Sequence, residues 1–125
     1  MKKILVLVLA LMLSLTFVSA VAEAEPVKVG VLVPVMTHGW VSGITYQAEA
    51  YAKELEADGK IEYRLTTSSN AEEMTTQIEE AILWGAQALV IAPQWTGMEA
   101  PVQDAIDQGI VVVAFDMDID RKSVG

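Results

Sequence analysis

Four apolar, β-branched-rich runs recur along this chain, and each interval between them is filled by a segment with helical periodicity. The runs occupy residues 27–33, 61–66, 88–92 and 110–115. "VKVGVLV" and "ALVIA" are nearly continuous in apolar character, the mark of strands covered on both faces. "IEYRLT" alternates apolar and polar residues, as a half-exposed strand does, and "IVVVAF" is the most strongly β-coded run of the four. In the first interval Val41, Ile44, Ala48, Tyr51, Ala52 and Leu55 fall on one helical face between about residues 40 and 58. In the second, Met74, Ile78, Ala81 and Ile82 mark a helix over 71–84, with Asn70 and Glu73 as a capping box and Gly85 at its end. In the third, Thr96 and Glu99 read as another capping box, opening a helix that runs to about Gln108 and closes on Gly109. Pro101 then lies within the first turn or so, where a missing N–H costs little. Strand and helix in strict alternation predict right-handed crossovers and a mainly parallel α/β sheet flanked by helices.

The N-terminus bears on compartment. Lys2 and Lys3 precede an apolar run over residues 4–18 broken only by Ser14 and Thr16, and "VSAVAEAEP" offers cleavage after Ala20, Ala22 or Ala24. Residues 1–24 thus have the anatomy of a secretory signal peptide. The competing reading is a membrane anchor of marginal length, against which stand the small-residue exit and the polar Glu23, Glu25 and Pro26. The chain has no cysteine, so neither disulfides nor a cysteine-linked lipid anchor is available, and an apolar core must carry stability. A free, exported protein fits the bacterial periplasm best, with release outside the cell as the alternative. The net charge is −9; cleavage after Ala24 leaves 16 acidic against 6 basic residues, or −10. That balance argues against nucleic-acid or anionic-membrane partners. Residues 25–125 make one domain, and the end at "DMDIDRKSVG", with no helix after the last strand, reads as an interruption.

Ligands of parallel sheets bind beyond the carboxyl ends of the strands, near a topological switch point. Residues 34–39, 67–70, 93–97 and 116 onward are therefore the loops to inspect, and the unusual chemistry of the chain falls in them. Trp40 offers a flat apolar face suited to the C–H-rich face of a sugar ring; the plain alternative is packing of a helix turn onto the sheet. Trp95 has a similar claim, set against a lid or surface plug, whereas Trp84 falls on its helix's apolar stripe and reads as structural. His38, the only histidine, can donate to or accept from a hydroxyl, or be satisfied by nearby backbone. Asp116 can accept hydrogen bonds from two adjacent hydroxyls. Alternation of Asp116, Asp118 and Asp120 invites a metal, but a calcium loop wants glycine where Arg121 stands, so no metal is assigned. No strand is followed by a phosphate-loop pattern, and no nucleophile–base spacing or G-x-S-x-G elbow is present. The expectation is a protein without enzymatic activity or cofactor.

With these loops placed, the chain resembles the type I periplasmic binding proteins of sugar-uptake ABC transporters, the ribose- and galactose-binding group. The resemblance rests on "KVGVLVPVMTHGW", "SSNAEEMTTQIEEAILWGAQALVIAP" and "APVQDAIDQGIVVVAFDMD", in that order, and spans the whole mature chain. It implies a Rossmann-like sheet forming part of the N-terminal lobe of a two-lobed protein, with the fourth crossover helix, the hinge and the second lobe missing. It also implies a ring-stacking aromatic at Trp40, a hydroxyl acceptor at Asp116 and polar ligand contact from the loop of His38. Met117 stands where ribose binders often have Arg, which puts ribose in doubt. Met74 replaces a usual Gln and Gln87 a common Asp, both read as structural changes. Cytoplasmic repressors that share this fold begin with a helix-turn-helix, and the export signal excludes them.

The expected function is that of the solute-binding component of an ABC importer, capturing a sugar or sugar-like polyol in the periplasm and delivering it to a membrane permease. The alternative is a sensory module feeding a chemoreceptor or histidine kinase. The binding residues expected are His38, Trp40, Trp95 and Asp116, in a monomer with a small-molecule carbohydrate ligand.

Overall fold

A computed structural model describes residues 2–4, 23–35, 38–116 and 119. The expected signal segment lies, from residue 5 to residue 22, outside the described residues. Among those described, no helix is long and apolar enough to cross a membrane. Strands β1 (Val27–Pro34), β2 (Ile61–Ser68), β3 (Ala88–Ile91) and β4 (Val111–Ala114) alternate with helices α1 (Gly39–Ala57), α2 (Ala71–Trp84) and α3 (Glu99–Asp107). The strands form one parallel sheet in the order β2-β1-β3-β4. The chain therefore steps from β1 to β2 on one side, then returns to place β3 on the other side of β1. The topological switch point lies between the carboxyl ends of β1 and β3.

Side-chain alternation along β1 divides the core into two layers. Leu32 joins Leu89 and Ile91 against Met74 and Ile78 of α2 and Val102 and Ala105 of α3, all buried. Val31 and Val33 face the other way, with Ala92, and are covered by Ala48 of α1, Leu65 and Phe115. Each fully buried aliphatic side chain here contributes about 1.5–3 kcal/mol relative to exposure. Gly30, between these layers, is required by a close approach. A Cβ there would stand 2.7 Å from Cδ2 of Leu89 and 3.4 Å from Cβ of Ala81.

Helix α2 is bounded as its sequence predicts. Asn70 Oδ1 accepts from the Glu73 amide at 2.8 Å, and the Glu73 carboxylate accepts from the Ser69 amide at 2.6 Å. At its other end Gly85 turns left-handed at φ 91°, and the Gly85 and Ala86 amides donate to the carbonyls of Ile82 and Ala81. Gln77 ties the same helix to the end of β2, accepting from the buried Ser68 hydroxyl at 2.6 Å and donating to the Thr67 carbonyl at 2.8 Å.

The second expected capping box does not form. Helix α3 begins at Glu99, its cap residue is Met98, and no side chain caps it. Gly97, at φ 88°, reverses the chain and sends Met98 into the core, where only 1% of it is exposed. Burial of the thioether has set the start of the helix in place of the Thr96 hydroxyl, which is left on an exposed residue. Pro101 is the third residue of α3, among the amides that have no intrahelical acceptor.

Both replacements noted in the sequence are accommodated structurally. Met74 is fully buried. Gln87 Oε1 accepts from the Lys28 amide at 3.0 Å, while its own amide donates to the Lys28 carbonyl at 2.8 Å. Trp84 is half-buried against the core, and its ring carries the Arg64 guanidinium at 4.3 Å and the Lys28 ammonium at 5.3 Å. It is a structural residue, far from the carboxyl rim.

Candidate ligand-binding rim

Three loops meet at the carboxyl edge of the sheet, and each is placed by the ladder below it. The Val35 amide donates to the Ser68 carbonyl, the Ala92 amide to Leu32 and the Phe115 amide to Ile91, so pairing continues past the strand ends. These bonds hold the residues after β1, β3 and β4 side by side across the switch point.

His38 is the N-cap residue of α1, in extended conformation, and its imidazole makes no capping hydrogen bond. Its backbone carbonyl starts the helix by accepting from Ser42 at 3.1 Å. Trp40, in the first turn, is 70% exposed, so the indole is not tucked beneath the helix as the plain packing alternative required. It stands over an apolar concavity of about 550 Å³, lined by Gly39, Trp40, Gly43, Ile44, Gln47, Ala48 and Phe115. The wall follows from helical spacing, because residues 40, 43, 44 and 47 fall along the side of α1 next to its buried stripe. Gly43 keeps that wall bare, for a Cβ there would meet nothing within 4 Å. Below it, on the α1 side of the sheet, Val111 and Val113 of β4 are 63% and 53% exposed.

Asp116 follows Phe115 directly and is exposed. It is the one non-glycine residue with positive φ among those described, at 75°. Its Oδ2 accepts from Nε2 of Gln94 at 2.9 Å, a bond that joins the loop after β3 to the end of β4. Trp95, next to Gln94, behaves differently. It is half-buried and packs on the layer formed with α2 and α3, on the opposite face of the sheet from Phe115. The structure therefore brings Trp40 and Phe115 together on the α1 side of the sheet, places Asp116 next along the chain with its carboxylate against Gln94, keeps His38 at the head of α1, and turns Trp95 toward the other core layer. Met117, Asp118, Asp120 and Arg121 lie outside the described residues. Among the described residues, no three His, Asp or Glu side chains converge as a metal set.

Sequence reasoning missed Phe115 and Gln94. The sequence marks Phe115 only as the end of a strand. Gln94 carries no local signal, since its partner is 22 residues away. A glutamine directly after the Pro93 that ends a buried strand is the sole hint.

A four-stranded parallel sheet between helical layers, with Trp40 in the first turn of α1 and Asp116 just after β4 at its carboxyl edge, is a scaffold of the periplasmic-binding kind. Residues 29–124 match the family model described as "Periplasmic binding protein domain", and the chain belongs to that family. Among solved structures it is similar to an ABC transporter solute binding protein from Thermobispora bispora, at 31% identity and a TM-score of 0.69. That similarity covers 74% of this chain and 30% of the other, so the chain spans under a third of its structural relative. A search of curated proteins found no match. The expected type I periplasmic binding fold, with its parallel sheet between helical layers, is thus the observed one.

Proposed function

We propose that this chain contributes part of the N-terminal lobe of an exported solute-binding protein that captures a sugar or sugar-like polyol and presents it to an ABC permease. The observation that carries the reading is the exposed Trp40 indole at an apolar concavity that it shares with Phe115, the residue directly before Asp116. A pyranose or furanose presents a C–H face to cover the ring, and hydroxyls at its edge to reach a carboxylate. The family supports a solute-binding role, and the Thermobispora bispora relative is named as a component of an ABC transporter. His38, at the head of α1, supplies a second polar contact in this reading, and Trp95 serves to hold the loop that carries Gln94. No covalent step is involved. Residues 1–24 direct the chain to the periplasm and are removed.

The test is calorimetric titration of the full-length protein with d-ribose, d-xylose, d-glucose, d-galactose and myo-inositol. Saturable binding of at least one is expected, weakened by Trp40→Ala and by Asp116→Asn. A folded protein that binds none of them contradicts the proposal.

A further inference from the structure

Asp116 does not meet its ligand alone. We propose that Gln94 is a positioning and hydroxyl-reading residue, which locks the Asp116 carboxylate and, with it, restricts the site to neutral polyols. The inference rests on the solute-capture reading above and adds the residue that sets its selectivity.

Three observations carry it. First, an ionised carboxylate only accepts hydrogen bonds, so the 2.9 Å contact between Gln94 Nε2 and Asp116 Oδ2 fixes which end of the amide faces Asp116. The NH2 group points to the carboxylate and Oε1 points away. Second, Asp116 sits at φ 75°, a conformation that persists in a non-glycine residue only where the surroundings enforce it. The bond from Gln94 supplies a restraint from a neighbouring strand's loop. Third, neither side chain forms another hydrogen bond among the described residues, and neither ion pair described on the surface involves Asp116.

The pair therefore presents a fixed row of groups: Oδ1 of Asp116 as acceptor, the second N–H of Gln94 as donor, and Oε1 of Gln94 as acceptor. Adjacent hydroxyls, each able to donate and to accept, match that row. A sugar phosphate or sugar acid does not match it, because its negative charge would meet the Asp116 carboxylate, which has no ion-paired Lys or Arg among the described residues.

The experiment measures the affinity of the full-length protein for the tightest binder among the five sugars and polyols, in wild type, Gln94→Leu and Gln94→Glu, at pH 7 and pH 5. Glucose 6-phosphate and d-galacturonate serve as anionic probes. Circular dichroism melts check that the two near-isosteric variants fold. Loss of a hydrogen bond to a charged group predicts a drop of roughly 10- to 100-fold in both variants at pH 7. Gln94→Glu should recover at pH 5, as one of the facing carboxyls takes up a proton and donates to the other, whereas Gln94→Leu should not. A role confined to folding would give no such recovery. Neither anionic probe should bind wild type. Wild-type affinity in either variant at pH 7, no recovery of Gln94→Glu at pH 5, or tight binding of an anionic probe overturns the inference and leaves solute capture standing. A wild-type protein that binds none of the five overturns both.

Discussion

Replacing Gly30 by alanine adds a single methyl group at the point where β1, β3 and α2 are closest. The new Cβ would lie 2.7 Å from Cδ2 of Leu89. Since carbon atoms rest at about 3.5–4.0 Å, the leucine must retreat by about 1 Å. Leu89 has little room to do so, being wholly buried and packed with Met74, Ile78 and Ile91. Overpacking of this kind costs about 1–3 kcal/mol. Against it stands the entropy that alanine removes from the unfolded chain, about 0.4–1 kcal/mol. The net expectation for Gly30→Ala is a loss of about 1–2 kcal/mol. Gly43→Ala is the control, because the same methyl group there enters open space on an exposed stretch of α1. It should gain about 0.5–1 kcal/mol from helix propensity. Urea unfolding followed by circular dichroism measures both, with the slope of the transition compared between variants. Adding Leu89→Val to Gly30→Ala should recover part of the loss, a coupling expected only of residues in contact. If Gly30→Ala is as stable as wild type at an unchanged slope, Leu89 and α2 do not press on β1 and the packing argument is wrong.

Other substitutions test separate links. Thr45 is 5% exposed on the buried side of α1, and its hydroxyl has no partner among the described residues. Thr45→Val should therefore raise stability by about 1 kcal/mol, read as an upward shift in the urea midpoint; a loss would mean that the hydroxyl is satisfied. Asn70→Ala removes the acceptor for the Glu73 amide and should cost about 1 kcal/mol in the same assay, while Asn70→Ser should restore most of it. Trp40→Ala should leave the thermal midpoint nearly unchanged, since the indole is 70% exposed, yet weaken sugar binding roughly tenfold in the titration. A large drop in midpoint would return Trp40 to a packing role.

Much of the fold was legible because its signals are local. The four β-branched runs, the Asn70–Glu73 cap and the glycine at residue 85 each act within a few residues, and all appear where the sequence places them. The Thr96 box failed because a local hydrogen-bond signal competed with burial of Met98, and burial depends on a core that local pattern does not describe. The site was legible only to the level of loops. Parallel alternation puts Trp40 and Asp116 at the carboxyl edge, but which face each side chain takes depends on how the loops turn. That is why Trp95 and Trp40, both candidates in the sequence, separate onto different sides of the sheet. Contact between Gln94 and Asp116 comes from the adjacency of β3 and β4, a fact of topology and not of spacing.

The most direct test of the account is a crystal structure of the full-length protein with the tightest binder of the sugar and polyol panel. The account predicts the ring face of the ligand against the Trp40 indole, with hydroxyl oxygens at hydrogen-bond distance, about 2.5–3.0 Å, from the Asp116 carboxylate. A ligand seated elsewhere, touching neither Trp40 nor Asp116, would contradict it.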